Sequence, residues 1–437
     1  MKLGVISLGC DKATVDSERL VAEFVGHGAS VTPALDDADI ILVNTCGFID
    51  AAKRESIDAI LEAARLKVRG RCRAVVAVGC LVARYPEDLR RELPEVDYFV
   101  GFADLPTLVP RLIRDGLLEE AEVLHPGERV FFGAAPHVRY LKISEGCDHS
   151  CAFCAIPLMR GTHRSRPLAD VVREARFLES QGAREITLIA QDLGHYGRDA
   201  AGGPRLPDLV RALLAETGVP WYRMLYVYSA GITDDLVTLL AREPRLVPYL
   251  DIPIQHASDR MLEAMRRPER QRTIRAQVGR LREAVPDIAL RTTALVGFPG
   301  ETDADFRELV ELADELRFDR LGAFAYSPQE GTAAAALPDD VPDGVKQDRL
   351  AELLEVQRTV SAERLAESVG RDVVVLVDGP AAEESPAPLV GRSARQADDV
   401  DGCTYLRTVG TPPAAGTFVT ARVVEALDYD LVAEVVA

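Results

Sequence analysis

Three cysteines close three short apolar runs near the start of the chain. The runs are LGVISLGC, IILVNTC and AVVAVGC, and they end at Cys10, Cys46 and Cys80, which we call the N-terminal trio. The separations of 36 and 34 residues are each about the length of one strand–helix–strand unit. Helical spacing follows each run, so the pattern predicts a parallel sheet with crossover helices. Because the carboxyl ends of neighbouring parallel strands share one edge, we expect the three thiols to converge there.

A second group of cysteines, which we call the loop trio, lies in the run EGCDHSCAFC at Cys147, Cys151 and Cys154. Its CxxxCxxC spacing offers three thiolates and no fourth, so a four-iron cluster held there keeps one iron open to a further ligand. A zinc site is the alternative, with His149 inside the loop as a conceivable fourth ligand. For the N-terminal trio the alternative is ordinary burial, since cysteine packs well in protein interiors.

Strand and helix signals predict an α/β protein of three domains. Residues 1–117 read as an open parallel α/β domain, and a polar linker follows at 118–136. Residues 137–366 contain six strand-like runs alternating with helical stretches, which predicts an incomplete (β/α)6 barrel with its site at the carboxyl ends of the strands. The loop trio follows the first of these strands. Residues 367–437 are strand-like and punctuated by Gly, Pro and Asp, which indicates a small all-β barrel.

Cysteine usage and charge bear on compartment and partners. Eight cysteines in 437 residues do not resemble the disulfide framework of a small secreted domain, and Cys72 and Cys403, outside both trios, are predicted to be structural. The start of the chain reads as a strand and not a signal peptide, and no apolar run approaches a membrane span. We therefore expect a reducing cytoplasm and no membrane partner. A net charge of −18 fits a basic protein partner better than nucleic acid.

The loop EGCDHSCAFC, with Phe153 directly before its third cysteine, resembles the cluster loop of the radical S-adenosylmethionine (SAM) enzymes. With the N-terminal trio and a terminal barrel similar to the TRAM domain, the chain resembles the methylthiotransferases throughout its length. Asp11 and Ala13 depart from the Pro and Asn common in the RimO branch of that family. The segments that resemble the RimO branch are SLGC with VDSE, NTCGFIDAAKRESI, KISEGC, MRGTHRSRP, PYLDIPIQHAS, TTALVGFPGET, YSPQEGT and GRSARQADDVDG.

The resemblance implies two 4Fe–4S clusters, one on each trio, and SAM as methyl donor and radical source. At the loop trio the open iron binds SAM for cleavage to a 5′-deoxyadenosyl radical, and at the N-terminal trio it holds the sulfur to be inserted. The RimO branch methylthiolates the β-carbon of an aspartate in the twelfth protein of the small ribosomal subunit, with electrons from a partner such as flavodoxin or ferredoxin. Its sister branch modifies a tRNA adenosine. A non-catalytic iron–sulfur or zinc protein is the alternative from another class.

The resemblance also points to residues around SAM. Gln191 and Asp192 end the second barrel strand, where the family contacts the SAM amino group; a helix cap by Asp192 is the alternative. The glycines of GFPGET permit close backbone approach to a ligand. Tyr326 at the end of the sixth strand either joins the site or simply closes the barrel mouth. The remaining residues predicted to bind SAM are Phe153, Gly297, Pro299, Gly300 and Ser327.

Polar residues elsewhere leave alternatives open. Gln255 and His256 end the fourth strand and are either substrate contacts or a satisfied polar pair. The basic residues after the loop trio either bind an anionic group or form a solvated surface; they are Arg160, His163, Arg164 and Arg166.

The terminal domain bears on the choice of substrate. From Glu367 to Ala437 it carries twelve acidic residues against five arginines and no lysine, a net charge of −7. Such a barrel suits a basic ribosomal protein better than tRNA. DDVDG, at 398–402, is a candidate substrate contact, with a solvated loop as the alternative.

Overall fold

The N-terminal domain is a five-stranded sheet in which every neighbouring pair is parallel. The computed structural model describes residues 1–121, 128–132 and 135–436. The strand order is β2-β1-β3-β4-β5. The strands are β1 (Lys2–Ser7), β2 (Ser30–Val31), β3 (Ile40–Thr45), β4 (Ala74–Gly79) and β5 (Tyr98–Val100). The helices are α1 (Asp11–Gly26), α2 (Asp50–Arg69), α3 (Cys80–Arg84), α4 (Pro86–Glu92) and α5 (Leu108–Arg114).

Strands β3 and β4 are buried along their whole length, because apolar clusters cover both faces of the sheet. In register, Ser7 of β1 lies opposite Asn44 of β3, and Thr45 of β3 opposite Gly79 of β4. Three adjacent strands therefore end side by side, each just before one cysteine of the N-terminal trio.

Six parallel strands form the central domain, as the sequence predicts. They lie in two sheets, β10-β9-β6 and β11-β12-β13, joined where the Tyr222 amide donates to the Arg245 carbonyl at 2.7 Å. The strands are β6 (Val138–Lys142), β9 (Glu185–Ile189), β10 (Trp221–Met224), β11 (Tyr249–Asp251), β12 (Ala289–Val296) and β13 (Arg320–Ala325), and a separate antiparallel ribbon consists of β7 (Ser144–Glu145) and β8 (Arg164–Ser165). The helices are α6 (Ile156–Arg160), α7 (Leu168–Ser180), α8 (Leu206–Glu216), α9 (Asp234–Arg242), α10 (Asp259–Ala264), α11 (Gln271–Ala284), α12 (Asp303–Leu316) and α13 (Asp343–Ala366).

The terminal domain is a closed five-stranded barrel, again as predicted. Its order is β14-β15-β16-β18-β17, with only the pair β16–β18 parallel. The strands are β14 (Asp372–Pro380), β15 (Leu389–Ser393), β16 (Thr404–Arg407), β17 (Phe418–Ala426) and β18 (Leu431–Val435).

The segment between β15 and β16 plugs the floor of the central barrel, at the amino ends of its strands. Buried Arg223 on β10 donates to the Ala394 carbonyl at 2.8 Å, and Glu185 on β9 accepts from Arg392 at 2.6 Å. Asp401 accepts a 2.7 Å hydrogen bond from Tyr249 on β11. The candidate substrate contact DDVDG is thus wrong for Asp401, whose side chain is fully buried between the two domains.

Helix α1 lies against β6 at an edge of the central barrel. Val15 packs in one cluster with Val138 and Ile189, and the Lys12 ammonium sits 3.1 Å from the centre of the Tyr226 ring. Of the predicted linker, residues 122–127 and 133–134 lie outside the described residues. Within its described part, Arg129 is buried between Glu18 and Glu174, 3.4 Å from each. Among the described helices, none has both the length and the apolar character that crossing a bilayer requires.

Candidate functional site

The N-terminal trio gathers at the carboxyl edge of the first sheet. Cys10 is exposed at the start of α1, Cys46 is half-buried after β3, and Cys80 is buried at the start of α3. A Cβ built on Gly9 would lie 3.6 Å from Cys46 Sγ, so the loop before α1 touches the loop after β3. The expected convergence of the three loops is therefore present.

Burial is the largest influence on the pKa of two members of this trio, Cys80 and Cys46. It raises the pKa of the Cys80 thiol to about 11, against the opposing positive charge of Arg160. It also raises the pKa of Cys46, where the neighbouring Cys10 adds to the effect. Thiolates crowded in a poorly solvated place require a cationic partner, and a metal cluster ligated by thiolates supplies that charge. The donor set fits an iron–sulfur cluster.

The loop trio follows β7 and lies at the carboxyl ends of the barrel strands, opposite the floor that the terminal domain covers. Burial raises the pKa of Cys154 to about 12 and that of Cys147 to about 11, and the nearby thiol of Cys151 adds to both. Arg267 Nη1 lies 3.8 Å from Cys151 Sγ, and its Nε has no hydrogen-bond partner among the described residues. Three unpaired thiols with one buried cation beside them again fit a cluster with three protein ligands.

His149, the conceivable fourth zinc ligand, points away from this role. Its Nε2 lies 2.8 Å from Asp192 Oδ2, and its ring stacks on Tyr228 at a centroid distance of 3.9 Å. His149, Asp192 and His195 do bring three ligand atoms within 4.8 Å of one another, and no cysteine belongs to this group. A zinc site on the loop trio would require His149 to leave these contacts.

Three separate predicted segments meet beside the loop trio. Ala152 of the cysteine loop, Phe298 of the GFPGET turn and Tyr326 after β13 belong to one buried cluster, and Phe153 packs against it. The Phe298 and Tyr326 rings meet edge to face at 5.4 Å. Tyr326 is buried, and its hydroxyl lacks a hydrogen-bond partner among the described residues. An unsatisfied hydroxyl on an apolar wall suits a ligand that supplies the missing polar group.

Glu301 organises the GFPGET turn from below. Its Oε2 accepts from the Gly297 amide at 2.6 Å, and its Oε1 accepts from Arg349 at 3.0 Å. The turn runs from Gly297, with φ +72°, through buried Pro299 to Gly300, with φ +79°. Both glycines are therefore in the left-handed region that favours this residue.

Gln191 and Asp192 have different surroundings. Asp192 caps a short 3₁₀ helix by accepting from the Gly194 amide at 2.8 Å, and its other oxygen contacts His149. Its carboxylate is thus engaged, as the alternative prediction stated. Gln191 Nε2 donates to Glu145 at 3.2 Å, while its carbonyl oxygen is buried without a partner among the described residues. Gln191 is the residue of this pair that is free to accept a hydrogen bond from a ligand.

The other polar candidates are mostly internal. His256 is fully buried, and its Nδ1 accepts from the amides of Ala257 and Ser258 at 2.9 and 3.0 Å. Its Nε2 is buried without a hydrogen-bond partner among the described residues, so the histidine is only partly satisfied. The Gln255 backbone, at φ +69°, bonds to β12. Ser327 Oγ accepts from Gln329 at 3.2 Å. Cys72, buried, donates to the Ala74 carbonyl at 3.3 Å, whereas Cys403 lies in the terminal domain, away from both trios.

A solvated surface is wrong for most of the basic run after the loop trio. Only Arg164 is exposed. Arg166 pairs with Glu174 at 2.6 Å, and buried His163 contacts Ser165. Arg160, also buried, bonds to Asp16 of α1 at 3.0 Å and to Glu145 of β7 at 2.9 Å.

The two trios adjoin. Cys80 packs in a buried cluster with Ala155 and Met159, and Ala155 directly follows Cys154 in the chain. Helix α3 therefore lies against α6, and the space beyond the barrel mouth is bordered by both cysteine groups.

Exposed apolar side chains near this space were not singled out from the sequence. Phe48 and Ile49 follow Cys46 after one glycine and are 46% and 41% exposed. Phe324 on β13 is 58% exposed, and Leu158 on α6 is 51% exposed. Leu158 reaches the loop after β13, because a Cβ on Gly331 would lie 2.9 Å from its Cδ1. The sequence offered no specific signal for them, because an isolated apolar residue is more often part of a core.

Arg84, in the first domain, bonds to two of the loops that carry or adjoin these exposed apolar residues, which together we call the rim. It donates to the Gly47 carbonyl at 3.0 Å, to Gln329 Oε1 at 3.0 Å and to the Glu330 carbonyl at 2.7 Å. The loop after Cys46 and the loop after β13 are therefore tied to one guanidinium.

Comparison with known proteins now identifies the family. Three family models match: uncharacterized protein family UPF0004 over residues 2–101, the radical SAM superfamily over 141–313, and the TRAM domain over 369–436. The ribosomal protein uS12 methylthiotransferase RimO of Geobacter sulfurreducens is 45% identical, covering 100% of this chain and 99% of that protein. The protein of that name from Desulforudis audaxviator is 47% identical, covering 100% and 97%. The chain belongs to the RimO family.

Membership in the RimO family confirms the prediction of a radical SAM methylthiotransferase. As a member of the radical SAM superfamily, it uses SAM and a 4Fe–4S cluster. Solved structures support the fold alone. The radical SAM methyltransferase TsrM of Kitasatospora setae gives a TM-score of 0.58 at 16% identity, covering 82% of this chain and 89% of that one. The cobalamin-dependent radical SAM enzyme OxsB gives 0.54 at 10% identity, covering 82% and 57%.

Proposed function

We propose that this RimO-family chain methylthiolates the β-carbon of an aspartate in ribosomal protein uS12, with SAM as methyl donor and radical source. The observation that carries the proposal is the packing of Cys80, of the N-terminal trio, with Ala155, the residue that follows Cys154 of the loop trio. A single electron-transfer cluster needs no second open site beside it. Two such sites side by side suit a reaction that joins a sulfur group to a carbon radical.

Each trio is proposed to hold its own 4Fe–4S cluster. The ligands are Cys147, Cys151 and Cys154 for one, and Cys10, Cys46 and Cys80 for the other. When bound, the first supplies the electron that cleaves SAM, and the second offers an open iron for the sulfur to be transferred.

The chain itself positions and shields the reactants. Phe153, Phe298 and Tyr326 form an apolar wall beside the loop trio that excludes water. The free Gln191 carbonyl and the free Tyr326 hydroxyl are the groups that orient SAM, together with the backbone of Gly297, Pro299 and Gly300. Ser327 and Asp192 support these loops by internal hydrogen bonds.

The surface near the cavity favours a protein acceptor. Phe48, Ile49, Leu158 and Phe324 offer exposed apolar contacts of the kind that anchor a protein loop. The terminal domain carries a net charge of −7, which attracts a basic ribosomal protein and repels tRNA. The second candidate, tRNA adenosine methylthiolation, uses the same chemistry and lacks this support.

The remaining parts of the proposal concern organisation and setting. We assign residues 1–117, 137–366 and 367–437 to three domains, with 118–136 as the connection. Eight unpaired cysteines suit a reducing cytoplasm, where flavodoxin or ferredoxin is the class of reductant that delivers single electrons.

The test is a competition between acceptors. The chain is reconstituted anaerobically with iron and sulfide, and is then incubated with SAM and either uS12 or tRNA. About eight irons per chain and a methylthio mass increase on the uS12 aspartate support the proposal. Methylthiolation of tRNA alone rejects the acceptor, and iron without SAM cleavage, or zinc in place of iron, rejects the enzyme.

A further inference from the structure

Arg160 is a charged side chain buried between the two cysteine trios. It ends α6, six residues after Cys154, and only 2% of its side chain is exposed. A guanidinium removed from water requires partners for all its N–H groups. Its surroundings therefore indicate what it does.

One of its two hydrogen bonds crosses to the first domain and the other stays within the central domain. Nη1 donates to Asp16 Oδ2 of α1 at 3.0 Å and to Glu145 Oε1 of β7 at 2.9 Å. Lys142 also pairs with both carboxylates, which makes a four-membered charge network. The guanidinium carbon lies 4.3 Å from the centre of the Phe102 ring, in the first domain. The network fixes the first domain against the strand that leads to the loop trio.

One nitrogen of the Arg160 guanidinium is left without a partner. Nη2 of Arg160 is buried and has no hydrogen-bond partner among the described residues. Met159, the residue before Arg160, packs in one cluster with Cys80, and the Phe102 ring that faces the guanidinium packs against the same cluster. The positive charge of Arg160 opposes the rise that burial causes in the pKa of the Cys80 thiol. Arg160 also acts electrostatically on Cys46. An unsatisfied, buried donor beside two cysteines of the N-terminal trio suits an anionic sulfur acceptor.

We propose that Arg160 Nη2 donates a hydrogen bond to sulfur at the Cys80 corner of the N-terminal cluster and so raises the cluster's reduction potential. This rests on the proposed function, because it assumes a cluster on that trio. Hydrogen bonds and positive charge near the sulfurs stabilise the reduced, more negative form. Arg160 is thereby a positioning residue that couples the N-terminal cluster to the loop carrying the other one.

The test isolates one cluster in the full-length chain. A parent variant with Cys147→Ala, Cys151→Ala and Cys154→Ala keeps only the N-terminal trio. The reduction potential of its cluster is measured by anaerobic redox titration followed by electron paramagnetic resonance. Arg160→Gln removes the positive charge and the proposed Nη2 hydrogen bond, and Arg160→Lys keeps the charge. Arg164→Gln, an exposed arginine four residues away, is the matched control.

We expect Arg160→Gln to lower the equilibrium constant for one-electron reduction at least tenfold, about 59 mV toward negative potential. Arg160→Lys should give a smaller negative shift, and Arg164→Gln none. A potential unchanged in Arg160→Gln overturns the inference. If Arg160→Gln retains no cluster, the potential of Arg160→Lys is the test, and an unchanged potential in that variant also overturns the inference. A parent that binds no four-iron cluster contradicts the proposed function instead.

Discussion

Tyr249 Oη donates a 2.7 Å hydrogen bond to Asp401 Oδ2, from a strand of the central barrel to a loop of the terminal one. The Asp401 side chain is fully buried, with Arg291 Nε at 3.8 Å and Arg320 Nε at 3.9 Å. Arg291 also pairs with Asp251 at 3.0 Å. Asp401 thus supplies a negative charge to a barrel floor that holds several buried cations.

Removing this charge should destabilise the joint between the two domains. We expect Asp401→Ala to cost about 3 kcal/mol, because it leaves the Tyr249 hydroxyl without its acceptor and removes the negative charge beside Arg291 and Arg320. Scanning calorimetry of the full-length chain measures the drop in transition temperature. Asp399→Asn, an exposed neighbour in the same loop, should change it little. An equal drop in transition temperature for the two variants would contradict a stabilising role of buried Asp401 in this joint.

Asp398 should make the same joint sensitive to pH. Burial raises the pKa of its carboxyl to about 6, although Arg392 opposes the shift. A raised folded-state pKa means that the contribution of Asp398 to stability is complete below about 4, its ordinary value, and is lost as pH rises through about 6. Asp398→Asn should therefore gain stability relative to the parent between pH 4 and pH 7, by at most about 3 kcal/mol. Thermal unfolding of both proteins from pH 4 to pH 7 measures this gain. A stability difference between them that stays constant with pH contradicts the prediction.

The two glycines of the GFPGET turn provide a matched pair. A Cβ on Gly297 would lie 2.3 Å from Lys346 Cγ, in a buried contact, whereas one on Gly300 would meet nothing closer than 3.9 Å. Both have positive φ, so both alanine variants carry the backbone cost of about 1 kcal/mol. Gly297→Ala should lose clearly more stability and more SAM affinity than Gly300→Ala. Thermal unfolding and equilibrium dialysis with labelled SAM measure the difference, and equal losses would contradict the packing against Lys346.

Phe48 should matter for the protein substrate and not for SAM. We expect Phe48→Ser to lower kcat/KM for uS12 roughly tenfold, since an exposed aromatic anchor is worth about 1–2 kcal/mol. Iron content and SAM cleavage without uS12 should stay unchanged. Val68→Ser, at an 86% exposed position on α2, is the control. An unchanged kcat/KM for Phe48→Ser would exclude this rim from docking.

Local patterns were enough to predict the fold and the convergence of the cysteines. Strand ends at Cys10, Cys46 and Cys80 recur at the period of one strand–helix unit, and parallel strands bring such ends together. The six-stranded barrel followed from the same alternation. These features depend on neighbours in sequence, which the chain displays directly.

Burial that arises from distant partners could not be predicted. Arg160 resembles a surface arginine until Asp16, 144 positions earlier, is placed beside it. Asp401 resembles a solvated acid until it meets Tyr249, 152 positions away. A polar motif reads alike in water and inside an interface, because the pairing that allows its burial is set by tertiary structure.

Among the described residues, the loop between β15 and β16 covers the amino-end floor of the central barrel through its contacts with Arg223 and Tyr249. On the proposed function, SAM and the acceptor aspartate both approach from the carboxyl ends of the barrel strands, where the two cysteine trios adjoin. A bound uS12 loop would therefore hinder the exchange of small molecules at this end of the barrel. We expect an ordered reaction in which sulfur is loaded before the ribosomal protein binds.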